Sequence, residues 1–81
     1  RQRITEIALK HSRVWGVHDL RTRSAGLQDF IQMHLDMDEN LSLLQAHDVA
    51  NDVEIALQKE FPHAEIIIHQ DPLPHPGANS I

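Results

Sequence analysis

The stretch that most limits how this chain can fold is residues 30–37, where from Ile31 onward apolar and polar side chains alternate without a break. Successive side chains of a strand point to opposite faces. Ile31, Met33, Leu35 and Met37 therefore form one apolar surface, and Phe30, Gln32, His34 and Asp36 form the other. Such a strand needs helices over one face and leaves a histidine and a carboxylate on the second. Residues 64–68 are a short β-branched run that also reads as a strand and leads into His69, Gln70 and Asp71. There Ile66 and Ile68 share the core face, while Glu65, Ile67, His69 and Asp71 share the other. Pro72 is expected to end the pairing.

Residues 14–23 read as an earlier strand, and residues 24–28, with Gly26 among them, as a hairpin loop. A hairpin centred on Gly26 places Trp15 and Val17 on the apolar face, Trp15 within the core. It sets His18 directly across from His34, with Cβ atoms about 5 Å apart. A slip of one residue would send every side chain to the wrong face. Residues 1–13 read as an amphipathic helix burying Ile4, Ile7 and Ala8, with His11 on the same side. A second helix starts from an N-cap at Asn40 or Ser42 and runs to about Glu60. Its stripe is Leu43, Ala46, Ala50, Val53 and Leu57, with His47 in the second turn. Asp48, Asp52 and Glu54 form its wet face.

The order α-β-β-α-β predicts an α+β fold, a two-layer sandwich with both helices on one face of a three-stranded mixed sheet, close to a ferredoxin-like fold. A right-handed crossover through the second helix sets the third strand parallel to the second. Residues 1–72 then form the domain. Pro72, Pro74, Pro76 and Gly77 make 73–81 a flexible tail. The opposite sheet face, carrying Leu20, Phe30 and Ile67, stays bare in a monomer and suits another protein surface. The chain opens without Met inside a helical pattern, as a domain from a longer polypeptide would.

Composition narrows the chemistry. Cysteine is absent, which excludes disulfides, thiolate zinc fingers and Cu(I) sites. A net charge of −5 argues against nucleic acid and suits a cation. No stretch has the ~18 apolar residues of a membrane span. Seven histidines in 81 residues are the main anomaly. Taken singly, each is an ordinary surface residue, and Asp71 before Pro72 is an ordinary turn former. Taken together, His18, His34, His69 and Asp71 reach one side of the sheet, and His47 approaches from the helix start. Neutral imidazole and carboxylate suit Zn²⁺, Fe²⁺ or Mn²⁺. One carboxylate can bridge two ions about 3.5–4 Å apart, so a binuclear site bridged by Asp71 would use all five ligands. His11, His63 and His75 have no expected carboxylate partner and read as solvated. Residues 21–23 (Arg-Thr-Arg) read as a solvated strand end or a salt-bridge partner for Asp19.

Residues 16–23, 30–35, 45–47 and 67–72, with Gly-Val-His-Asp-Leu-Arg-Thr-Arg, Phe-Ile-Gln-Met-His-Leu, Gln-Ala-His and Ile-Ile-His-Gln-Asp-Pro, resemble the cytoplasmic C-terminal domain of bacterial cation diffusion facilitators, closest to the ferrous-iron and zinc efflux type. The likeness runs from Ile4 to Pro72. It implies a metallochaperone-like domain that forms a homodimer in the cytoplasm, beneath an inner-membrane transmembrane domain of the same polypeptide. It also implies a binuclear Zn²⁺ site from His18, His34, His47, His69 and Asp71, open to Fe²⁺, Cd²⁺ or other divalent cations, with His47 supplied by the same copy or its partner.

The function expected is a regulatory, dimerising metal-binding domain of a proton-coupled Zn²⁺/Fe²⁺ efflux transporter, and not an enzyme. A metallohydrolase would need a general base beside an open coordination position, and no His-Glu-x-x-His pair is present. A soluble metal-delivery protein, or a plain interaction domain with incidental histidines, is the alternative.

Overall fold

A computed structural model describes residues 2–74. The elements are α1 (Gln2–Leu9), β1 (Gly16–Ala25), β2 (Gln28–Asp38), α2 (Leu43–Glu60) and β3 (Ala64–Leu73). β2 lies between β1, antiparallel to it, and β3, parallel to it. The α+β sandwich and the parallel third strand are therefore as the residue pattern predicts. The alternation of β2 decides the layering: Ile31, Met33, Leu35 and Met37 are all buried, with Met33 and Leu35 fully so. Ile4, Ile7 and Ala8 of α1 and Val49, Val53 and Leu57 of α2 close over them.

α2 begins where its cap chemistry places it. Ser42 Oγ accepts the Gln45 N–H at 3.0 Å, and Gln45 Oε1 accepts the Ser42 N–H at 2.9 Å. This reciprocal box satisfies two amides that a helix start leaves unpaired. The buried stripe is rotated from the expected one: Val49 joins it, and Leu43 is 85% exposed. Leu41, just before the helix, is partly buried against the core. At the other end Gln58 Nε2 donates to Ala64 O at 2.9 Å and ties the helix to the start of β3.

Three further expectations are corrected. α1 stops at Leu9 rather than continuing to residue 13. Arg13 N–H donates to His11 Nδ1 at 3.1 Å instead of to a carbonyl one turn back. Nor does Pro72 stop β3, which pairs through Leu73, whose carbonyl accepts the Glu39 N–H at 2.9 Å. β3 is an edge strand, where a missing N–H is tolerated. Leu73 therefore belongs to the sheet and not to a tail, while residues 75–81, including His75, lie outside the described residues. Trp15 precedes β1 and is 38% exposed, so it is not core, although its N–H donates to Asp36 O at 2.7 Å.

The hairpin register holds a finding of its own. The turn is Gly26-Leu27, with Ala25 opposite Gln28, so the hairpin is centred half a residue later than Gly26. Continued unbroken, that register would face Asp19 toward His34 and turn His18 toward the helices. A bulge between His18 and Arg21 absorbs one residue, and beyond it His18 again faces His34. Asp19 makes this possible with a φ of 52°, a left-handed conformation that Asp and Asn adopt more readily than other side chains. The later turn also moves Leu20 to the Met33 side, where it packs against the core instead of joining the bare face. Arg21 and Arg23 take its place there, with the Arg23 guanidinium 4.6 Å from the Phe30 ring centre.

Candidate metal centre

β1, β2 and β3 each contribute to one cluster on the face that the helices leave open. His18 and His34 are register partners, as are His34 and His69, and Asp36 and Asp71. The three imidazoles form a stack across the sheet. His18 and His34 centroids are 5.0 Å apart with planes 26° apart, and His34 and His69 are 4.6 Å and 18° apart.

The polar atoms converge on Asp71. Its Oδ2 lies 3.1 Å from His18 Nε2 and 3.1 Å from His34 Nδ1. His18, His34 and Asp71 each offer one ligand atom, and these atoms lie within 4.8 Å of one another. Two imidazole nitrogens meeting one carboxylate oxygen is a donor set that fits a divalent cation of the Zn²⁺ type. Two further carboxylates flank it. Asp36 Oδ1 is 3.0 Å from His18 Nδ1, and Asp19 Oδ2 is 3.8 Å from His34 Nε2. The order Asp36–His18–Asp71–His34–Asp19 therefore alternates acid and imidazole across all three strands, Asp19 standing in the bulge of β1. Arg21 donates to Asp19 Oδ1 at 3.1 Å, and that hydrogen bond, with the guanidinium charge, holds the Asp19 carboxyl below its usual range.

Four of the five expected site residues stand together. His69 joins through its stacking on His34, and its Nε2 accepts from Gln32 Nε2 at 3.4 Å. His47 stands apart, exposed near the start of α2 and in the helical layer. Asp36 and Asp19 are the residues that sequence reasoning missed as members. Asp36 had a signal, since it shares His34's face. Asp19 had none, because a hairpin centred on Gly26 sets it opposite Met33, on the helix side of the sheet. Arg21 pairs with Asp19 as one of its two sequence readings allows. His11, expected to be solvated, instead pairs with Asp52 at 2.9 Å, while that carboxylate stays exposed on the wet face of α2.

A family model described as the cytoplasmic domain of cation efflux proteins matches residues 1–73. The chain belongs to this family. It is 53% identical over 72 residues to the cation-efflux pump FieF of Salmonella typhi, an alignment covering 89% of this chain and 24% of the pump. FieF of Salmonella newport matches at the same identity and coverage. The cation-efflux domain described here thus spans about a quarter of the length of the curated relatives it matches. Among solved structures, CzrB superposes with a TM-score of 0.82 at 32% identity, over 89% of this chain and 90% of that one. The MamM C-terminal domain in its cadmium form superposes at 0.81 with 26% identity, over 89% and 91%. The relatives are transporter domains, not enzymes. No helix among the described residues is long and apolar enough to cross a membrane.

Proposed function

We propose that this cation-efflux domain is a regulatory, homodimeric metal-binding module of a proton-coupled Zn²⁺/Fe²⁺ exporter at the bacterial inner membrane. The observation that carries the reading is the convergence of His18 Nε2 and His34 Nδ1 on Asp71 Oδ2. His18, His34 and Asp71 would hold one divalent cation. His69, stacked on His34, and His47, reaching from a second copy, would complete a binuclear centre bridged by Asp71. The exposed half of the sheet, with Phe30 and Ile67 on it, supports a second copy as the neighbour that brings His47 into range. The family's own name refers to a dimer.

A bound cation supplies positive charge among Asp19, Asp36 and Asp71. These carboxylates repel one another without it, so the arrangement that brings them closest is favoured when charge is neutralised. The size of any resulting bias on a membrane part is limited by the difference in cation affinity between the two arrangements. Relatives whose names refer to cation efflux, and a neighbour solved in cadmium and nickel forms, support a transition-metal cargo.

The test is a calorimetric zinc titration of the 81-residue chain, with dimer mass followed by sedimentation. About two ions per copy are expected from a bridged pair. His34→Ala and Asp71→Ala should each lower that stoichiometry while circular dichroism stays unchanged. Undiminished zinc binding in both variants rejects the centre.

A further inference from the structure

The cluster contains one carboxylate that the proposed ligand set does not use. Asp36 Oδ1 lies 3.0 Å from His18 Nδ1, while the ring's other nitrogen faces Asp71 at 3.1 Å. Asp36 is also the least exposed acid in the group, with 18% of its side chain accessible against 35% for Asp71 and 46% for Asp19. His18 is half exposed on an edge strand, so packing alone does not fix its ring. A neutral imidazole carries its proton on one nitrogen and can ligate only through the other. In metalloproteins the proton-bearing nitrogen usually donates to a carboxylate, which sets both tautomer and ring direction.

A second observation points to the same carboxylate. Gly16 is the register partner of Asp36, and a Cβ built on Gly16 would meet Asp36 Oδ2 at 2.9 Å. Of the two glycines among the described residues only Gly26 has a positive φ, so Gly16 is not demanded by backbone conformation. What the glycine provides is room for the Asp36 carboxylate beside His18.

Resting on the metal-centre reading above, we infer that Asp36 is a positioning residue: it accepts the Nδ1–H of His18 and so presents Nε2 to a divalent cation, in a space kept open by Gly16. Asp36 itself stays off the cation. Asparagine at this position still offers an oxygen to the same N–H. Alanine offers nothing. Alanine at position 16 leaves the fold alone but pushes the carboxylate aside, because the clash falls on the far end of a side chain.

Zinc titrations of the unmodified chain, Asp36→Ala, Asp36→Asn, Gly16→Ala and His18→Ala test this. Asp36→Ala should weaken zinc affinity by about 10–100-fold, the usual cost of losing such a partner, at unchanged stoichiometry. Asp36→Asn should recover most of the loss, and Gly16→Ala should fall between. Nitrogen-15 spectra of the zinc-loaded chain should show a His18 Nδ1–H protected from water exchange, and that protection should vanish in Asp36→Ala. Wild-type affinity in Asp36→Ala overturns the positioning role while leaving the metal centre standing. Loss of a zinc equivalent, as in His18→Ala, overturns it by making Asp36 a ligand. An unmodified chain that binds no zinc overturns the centre and this inference together. Should Asp36→Ala not fold, Gly16→Ala decides the matter: unchanged affinity and unchanged His18 protection overturn the inference.

Discussion

His34 holds the middle of the cluster, because its ring lies between those of His18 and His69 and its Nδ1 is within 3.2 Å of both Asp71 oxygens. His34→Ala should therefore cost more zinc affinity than His69→Ala, whose ring sits at the outer end of the stack. Calorimetry giving the reverse order would contradict a centre built around Asp71. The strand period alone was enough to put His69 and Asp71 on one face, and the right-handed crossover that sets β3 parallel to β2 brought His34 to them. His11 was misread for the opposite reason. Its partner Asp52 is 41 positions away on α2, and the pairing depends on how two helices cross. Asp19 illustrates a third case, in which a backbone dihedral decides where a side chain goes. Asp19→Asn keeps a residue tolerant of a left-handed φ and should melt close to the unmodified chain, whereas Asp19→Val should melt clearly lower.

Among the helices and strands, α2 begins where its cap residue was expected, whereas Pro72 does not stop β3. Ser42→Ala removes the acceptor for the Gln45 amide and should destabilise the fold by about 1 kcal/mol in denaturant titrations. α1 lacked a chemical stop in its sequence, and it ends where the His11 N–H turns to Ala8 O after Lys10 N–H has bonded Glu6 O. The β1–β2 register was reached through two compensating departures, the later turn and the bulge. His18 faces His34 because both occurred. α1 and α2 are joined by Arg3 Nη2 and Glu60 Oε1 at 2.7 Å. That contact lowers the Glu60 carboxyl, chiefly through the hydrogen bond from Arg3 and then its charge, and raises the Arg3 guanidinium in return. A carboxyl lowered by folding stabilises above its unfolded value and loses that effect as pH falls through the folded one. Melting temperatures of Arg3→Ala and the unmodified chain should differ at pH 7 and converge below about pH 4. Both groups are exposed, so salt should shrink the difference.

A domain of this size is held by a single core, and its net stability is expected at about 4–12 kcal/mol. Leu57 is fully buried in the core between the two layers, and Leu57→Ala should remove about 2–5 kcal/mol of that. If the centre binds only the folded chain, zinc at a hundredfold over its dissociation constant returns about 2.7 kcal/mol. The melting temperature of Leu57→Ala should then rise on adding zinc, and that of the Leu57→Ala, His34→Ala double variant should not. The three-stranded order has a separate effect on assembly. β1 and β3 both present an open rim, the usual place for strangers to add strands and seed aggregates. One rim is kinked at Asp19 and the other is short of a donor at Pro72, so neither offers an unbroken ladder. Growth sideways is blunted at both margins, so the proposed dimer would have to form flat against flat, where the histidines are.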